Sequence, residues 1–378
     1  MLRLRKILES VDWLLVGSAV FVTFAGILTM NSFNAEEVGE GFFYRQIIWL
    51  GIALAVFFVA SRVDWRFLRR TEVVASLFFA TCGILLMLFA VPPTNGARSW
   101  FNLGLFAFQP VDYVKIVLIL LLSKYFSRRH IEIANIRHII ISGVYAFIFF
   151  MLVFLQPDFG SAMILFAIWF GMILVSGISK KHLLAVFLIG VSTFSGLWFF
   201  VFKDYQKARI TSFINPLADL HGAGYNAYQS TIAVGSGEVW GKGVGYGSQS
   251  KLKFLPEYQT DFIFAAFSEE WGFVGDTVLF ALFGLLFWRI LDISQKGESN
   301  FEILFGLGVA ILLFSHLIIH IGMNIGLLPV TGITMPFMSY GGSHLIAEFL
   351  VLGILVGMSR YARPVHKEMA GNEIIGVV

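Results

Sequence analysis

The chain has 378 residues, of which 57% are hydrophobic and only 13% charged, with a net charge of +3. Soluble domains carry about a quarter charged residues, so this composition excludes an ordinary soluble protein and predicts an all-α integral membrane protein. Three surplus positive charges scattered over short connections also exclude nucleic acid as a partner.

Apolar runs near the roughly 20 residues needed to cross a hydrocarbon core recur about ten times. They fall near 12–30, 45–61, 73–91, 105–126, 137–155, 160–177, 182–202, 262–290, 302–327 and 337–359. The first lacks a small-x-small site after it, so a cleaved signal peptide is not expected. Cys82 is the one cysteine and excludes an intrachain disulfide.

Alternate connections are basic: Arg3, Arg5 and Lys6 before the first run, then Arg62, Arg66, Arg69 and Arg70. Arg128, Arg129 and Arg137, Lys180 and Lys181, Arg289 and Lys296, and finally Arg360, Arg363 and Lys367 continue the pattern. By the positive-inside tendency these connections and both termini are cytoplasmic. The other side receives the acidic first loop, the stretches 92–103 and 328–335, the Gln156–Asp158 turn and a long segment, about 203–260. The expectation is one polytopic domain, 1–378, with one large extracytoplasmic loop. The apolar stretch 225–234 is too short to span, so that loop is expected to contain short or re-entrant helices. No inverted pair of broken helices is evident.

Charges inside a span are costly and face a partner or a cavity. Asp112 and Lys115 share a face at i,i+3, with Ser123 on the same stripe; they either fix helix packing or line a wet substrate cavity. His316, His320 and Asn324 repeat every four residues. Metal ligation lacks a third ligand and the metalloprotease Glu, so a hydrogen-bonded stripe is expected instead. Asp158 stands where an N-cap would, with a polar cavity as the alternative role.

The loop is rich in glycine between Gly235 and Gly247, but the spacing around Lys242 is not that of a nucleotide-binding loop. Tight turns are the plainer reading, and an anion cradle using Lys242 the sharper one. Lys203, Lys207 and Arg209 are basic residues on the outer side, which points to an anion such as a lipid phosphate. Asp261 ends the loop at the mouth of the next helix. Helical geometry puts Glu269 about 80° away from it and Glu270 on the opposite side. Asp261 is therefore either a helix cap or a lone general base.

The runs LPEYQTDFIFAAFSEEWGFVG (255–275) and GMNIGLLPVTGITMPFMSYGGSHL (322–345) closely resemble signatures of the SEDS family, which includes RodA, FtsW and SpoVE. NGARSW (95–100), FQPVDYVK (108–115) and QPDFGSA (156–162) do so too, and the likeness covers nearly the whole chain. The loop run ending GSQSKLKFLPE looks most like the elongation, or RodA, branch. The resemblance implies a ten-span peptidoglycan glycosyltransferase that polymerises lipid II at the outer face of the bacterial cytoplasmic membrane. It maps the family's essential aspartate onto Asp261. The family's acid and lysine map onto Asp112 and Lys115, with Val-Asp here where Ser-Glu is usual. Thr334 replaces a usual proline and His344 a usual serine.

The implied mechanism is an inverting displacement with Asp261 as general base. Candidate substrate contacts are Arg98, Asp112, Lys115, Asp158, Arg209, Lys242 and Glu257. No protein metal cage is read from the sequence, although a divalent cation, Mg or Mn, can ride on the pyrophosphate. Implied partners are lipid II and nascent glycan, a class B penicillin-binding transpeptidase and other elongation-complex membrane proteins. Rival readings are a lipid II flippase, the division or sporulation branch of the family, and a non-catalytic scaffold.

Overall fold

Every expected apolar run forms a helix in the computed structural model, which describes residues 12–32, 41–93, 97–102, 104, 107–127, 136–200, 207, 211–215, 223–252, 254–255 and 257–361. The first seven long helices are α1 (Trp13–Ser32), α2 (Phe42–Ala60), α3 (Thr71–Met87), α4 (Pro110–Ser127), α5 (Ile136–Phe154), α6 (Phe159–Val175) and α7 (Lys180–Phe200). Among the described residues of the loop are the shorter helices α8 (Ala223–Ser236) and α9 (Ser248–Lys251), preceded by a helical turn at 211–214. Three long helices close the chain: α10 (Ile263–Gln295), α11 (Asn300–Asn324) and α12 (Gly342–Arg360). Two-residue strands, β1 (Phe101–Asn102) and β2 (Ala107–Phe108), pair antiparallel just before α4.

Eight of these helices are long and apolar enough to cross a membrane. The other two of the expected set fall short for visible reasons. α6 stops at 17 residues, whereas α3 is carried on to Ala90 by a 3₁₀ turn and so reaches 20; α4 carries Asp112, Lys115 and Lys124. Large side chains such as Phe21, Ile48, Phe79, Phe147 and Phe187 project from the bundle into the surroundings, as lipid-facing surfaces require. The chain is a multi-pass membrane protein.

Two helices form the centre. α11 packs on α10, α4, α6, α8 and α12, and α4 packs on α3, α5, α6, α11 and α12. α12 lies against α2 and α10 against α1. One apolar cluster runs through the bundle, with Leu15, Phe57, Leu118, Phe149, Phe305 and Phe349 all fully buried. α7 stands apart: none of its described side chains is buried.

The basic connections gather at one end. Arg69 pairs with Glu298 at 2.8 Å and with Glu302, and Lys124 donates to the Arg69 carbonyl. Arg289 pairs with Asp12, and the Tyr361 hydroxyl donates to the Arg62 carbonyl at 2.8 Å. Arg3, Arg5, Lys6, Arg128, Arg129, Arg363 and Lys367 lie outside the described residues. The opposite end joins the 97–102 stretch to the α5–α6 turn through Arg98 N–H and the Gln156 carbonyl, 3.1 Å. It also joins α2 to the chain before α12 through Gln46 Nε2 and the Ser339 carbonyl, 3.2 Å.

α10 holds a feature that apolar patterning does not announce. Its 33 residues would run about 50 Å as one helix, well beyond a core of about 30 Å. It is instead two helices meeting at Gly272, where φ is 63° and ψ is −168°. A break strands carbonyls on one side and N–H groups on the other. The glycine loop fills both sets: Lys242 and Gly243 donate to the Glu269 and Glu270 carbonyls, each at 3.0 Å. Phe273 and Val274 donate to the Glu238 and Val239 carbonyls at 3.0 and 3.1 Å. Gly272 is required twice over, by its positive φ and because a Cβ there would run into Gly241 N. Glycine-rich sequence in the loop and one glycine in the helix are thus two halves of a single joint.

Candidate active site

Asp261 belongs to a turn, residues 257–262, that leads into α10. Glu257 adopts φ 50°, and its carbonyl accepts the N–H groups of Thr260, Asp261 and Phe262 at 3.1, 3.1 and 3.3 Å. The next carbonyls along are each held from outside the turn. Tyr340 N–H donates to Gln259 O at 2.8 Å, Ser339 Oγ to Thr260 O at 2.8 Å, and Asn324 Nδ2 to Asp261 O at 3.0 Å.

Asn324 is fully buried and spends its whole amide on this junction. Its Nδ2 also donates to His320 O at 2.8 Å, and its Oδ1 accepts from Ala265 N at 3.2 Å and Ser230 Oγ at 3.3 Å. It therefore ties the end of α11 to α8 and to the first turn of α10. These bonds fix the backbone on both its N–H and carbonyl sides, and the Asp261 side chain that it carries is half buried. A Cβ at Gly332 would sit 3.5 Å from Asp261 Oδ2, so the 331–334 stretch passes directly beside the carboxylate.

That stretch connects Asp261 to the intramembrane polar residues. Ile333 O faces His320 Nδ1 at 2.7 Å, and Thr334 O faces His316 Nδ1 at 3.2 Å. Each residue of the stripe His316, His320, Asn324 is hydrogen-bonded, as its spacing suggested, with partners on neighbouring helices (Lys115 on α4, Ser230 on α8) and on the non-helical 331–334 stretch. Asp112 and Lys115 pair at 2.9 Å, both buried, and Lys115 Nζ also reaches His316 Nε2 at 3.2 Å. His344 Nδ1 stands 3.2 Å from the same Asp112 oxygen, and its Nε2 stands 3.0 Å from Glu348 Oε1. The shortened acid and the histidine in place of a serine therefore meet each other.

The remaining candidates divide. Asp158 caps α6 by accepting from Ser161 N at 3.0 Å. Gly160, two residues on, packs so tightly on the 331–333 stretch that a Cβ would lie 2.7 Å from Thr331 O, so Asp158 stands close to the segment beside Asp261. Arg98 donates from Nη1 to Phe89 O at 2.8 Å. Lys242 does not stand open for an external anion. Its ammonium bonds Glu269 Oε1 at 2.7 Å and Ser248 Oγ at 2.9 Å. Glu270 Oε1 accepts from Gly245 N at 2.7 Å, so the anions cradled by the glycine loop are the protein's own carboxylates. Glu257 reaches Thr260 Oγ1 at 3.3 Å. Lys203 and Arg209 lie outside the described residues.

Ser339, Tyr340 and Glu348 escaped the sequence reading. Glu348 carried a signal, an acid inside an apolar run. The other two act through a backbone amide and a hydroxyl, whose partners are set only by tertiary contact. Among the described residues no three His, Cys, Asp or Glu side chains are grouped to hold a metal ion.

The model of the family described as "Cell cycle protein", FtsW/RodA/SpoVE, matches residues 7–364. The chain belongs to that family. It is 35% identical to the stage V sporulation protein E of Bacillus subtilis, over 94% of this chain and 98% of that one. It is 34% identical to the peptidoglycan glycosyltransferase MrdB of Escherichia coli, over 90% and 91%. Among solved structures, RodA of Thermus thermophilus superposes with a TM-score of 0.69 at 28% identity, covering 93% of this chain and 97% of that one. A chain from a peptidoglycan synthase complex that coordinates polymerization and crosslinking superposes with a TM-score of 0.79, also at 28% identity, covering 94% and 99%. The resemblance read from the motifs to the FtsW/RodA/SpoVE family, SEDS, thus holds along almost the whole chain.

Proposed function

We propose that this protein polymerises lipid II into glycan strands during cell elongation, with Asp261 as the general base of an inverting transfer. The observation that carries the reading is the turn 257–262. It presents one half-buried carboxylate on a backbone whose N–H and carbonyl groups are bonded on both sides, and rigid placement of this kind is what a general base needs. Family membership, and relatives named as peptidoglycan glycosyltransferases, support the activity. The elongation role follows the loop pattern and the RodA likeness.

In the proposed step the acceptor's 4-hydroxyl loses its proton to Asp261 as its oxygen attacks the donor's anomeric carbon. The bond from that carbon to the pyrophosphate breaks in the same displacement, and the α linkage becomes β. The departing lipid pyrophosphate takes up negative charge, which fixed cations stabilise. Arg98 suits that task, since a single Nη holds Phe89 O; Arg209 is a second candidate. Asp112, Lys115, Asp158 and Glu257 shape the cavity around the reacting groups, whereas Lys242 buttresses the loop.

The chain is proposed to act as one membrane domain. Its basic end and both termini face the cytoplasm, and the Asp261 end faces outward, in line with the charge asymmetry of its connections. Partners are lipid II, nascent glycan, a class B penicillin-binding transpeptidase and other elongation-complex membrane proteins. Purified protein supplied with lipid II should yield long glycan strands, and the same preparation carrying Asp261→Asn should not. Movement of labelled head groups across proteoliposomes without strand growth would replace this reading with a flippase.

A further inference from the structure

Five titratable side chains, Asp112, Lys115, His316, His344 and Glu348, are buried together where α4, α11 and α12 meet. Only Asp112 and Lys115 are absorbed by the function above. The geometry of the other three leads to the catalytic turn. His344 lies between two carboxylates, with Nδ1 3.2 Å from Asp112 Oδ1 and Nε2 3.0 Å from Glu348 Oε1. The Nε2 contact is at ion-pair distance but outside hydrogen-bond geometry. Lys115 and His344 are the two basic side chains set against the two buried acids.

The second oxygen of Glu348 accepts Phe337 N–H at 2.8 Å. Phe337 has φ 60°, a left-handed conformation that a bulky residue keeps only when its surroundings impose it. Two and three residues further on come Ser339 and Tyr340, whose Oγ and N–H hold Thr260 O and Gln259 O. Ser339 is itself aimed from within the segment, because its Oγ accepts Met335 N at 2.8 Å. At the near end of the segment His316 accepts from Lys115 at Nε2 and faces Thr334 O with Nδ1. The cluster thus grips the 334–341 segment at two points, and that segment grips the turn that carries Asp261.

We infer that His344 is a positioning residue for the catalytic turn: it fixes Glu348 on Phe337 and so aims Ser339 and Tyr340 at the carbonyls preceding Asp261. The proposal rests on the reading that this turn carries the reaction. It also unites two departures from the family pattern. An acid one methylene shorter at position 112 faces a longer side chain at position 344, so the two are matched in reach.

The test uses the full-length purified protein with two readouts, steady-state polymerisation of lipid II and hydrogen exchange at the amides of residues 260–262. His344→Ala should lower kcat about tenfold or more with KM for lipid II held within about twofold. The three amides should exchange faster, since their bonds to Glu257 O depend on the turn staying closed. Adding Glu348→Gln to His344→Ala should cost no more than His344→Ala alone, because both sit on one path. Asp112→Glu with His344→Ser should recover more activity than either single change, and it keeps the proposal testable where His344→Ala fails to fold. Wild-type exchange at 260–262 in His344→Ala, losses that multiply in the double variant, or no recovery in the matched pair would each overturn it. An Asp261→Asn protein that polymerises normally would instead overturn the general-base reading, leaving the exchange result to be judged by itself.

Discussion

Three acids lie within ten residues where the loop enters α10, and the protein treats Asp261 differently from Glu269 and Glu270. Glu269 is fully buried, and its carboxylate takes Lys242 Nζ, Ser248 Oγ and the Gln249 N–H. Glu270 is equally buried and accepts from Gly245. At Asp261 the backbone is bonded on both sides, its N–H to Glu257 O and its carbonyl to Asn324, and the side chain is only half buried. A carboxylate spent on the loop is architecture. One mounted on a pinned backbone beside a glycine is placed for chemistry. The contrast teaches that counting acids is a poor guide, and that how deeply each carboxylate is buried separates the roles.

The widest separation comes from Asp261→Asn and Glu269→Ala. The first removes a proton acceptor at nearly constant shape, so polymerisation of lipid II should fall by about 10²–10⁴-fold, the usual worth of a general base. Its thermal unfolding in detergent should stay close to that of the wild type. Glu269→Ala should do the reverse. It removes the acceptor of the Gln249 N–H, the Ser248 hydroxyl and the Lys242 ammonium, at about 1–3 kcal/mol for each donor left orphaned in the interior. The expected result is a large drop in unfolding temperature, with residual activity following the folded fraction. A stable Glu269→Ala protein without activity would erase the contrast.

Gly272→Ala probes the joint without touching any charge. A methyl group there meets Gly241 N, and φ of 63° disfavours any side chain. A strained position of this kind costs about 1–3 kcal/mol. The loop should loosen from α10, seen as faster hydrogen exchange at Lys242 and Gly243, the amides that bond the Glu269 and Glu270 carbonyls. Protected amides there would mean that the loop is held by the two glutamates alone.

What could be read from the chain follows from which interactions are local. Each span was legible because an apolar run of about 20 residues is a signal contained in one window. α4 was found although Asp112, Lys115 and Lys124 lie on it, since the residues around them are apolar. The break in α10 was not, because hydrophobic residues continue on both sides of Gly272 and nothing nearby says that a loop some thirty residues earlier will fill it. Asp261 was legible as a residue type at a helix mouth, and the motif likeness gave it a role. The hydrogen bonds that hold its turn come from Asn324, Ser339 and Tyr340, whose partners are decided only when α11 and α12 pack. The same holds for His344: its departure from the family pattern was visible, but its meeting with Asp112 was not.

Asn324→Ala falls between the two classes of acid, since it removes a structural amide that touches the Asp261 carbonyl. It would leave Asp261 O and Ala265 N–H short of a partner, while the Ser230 hydroxyl keeps the Asn324 carbonyl, at about 1–3 kcal/mol for an orphaned buried group. The expected signature is a modest fall in unfolding temperature together with about a tenfold loss of kcat, KM being little changed. A pure stability loss, with normal turnover per folded molecule, would show that the turn keeps its shape without this bond.

The smallest effect is predicted at Lys242, where the two readings of the glycine loop part. Its side chain is 30% exposed while that of Glu269 is fully buried. Solvent screening therefore reduces the pair to about 1 kcal/mol, and Glu269 retains its bonds to Gln249 and Ser248. Lys242→Ala should cost about that much stability and leave KM for lipid II within about twofold, because the ammonium is already engaged by a carboxylate of its own chain. A tenfold rise in KM at unchanged stability would place the ammonium on the substrate's pyrophosphate, and would move the glycine loop from the architectural side of the comparison to the chemical one.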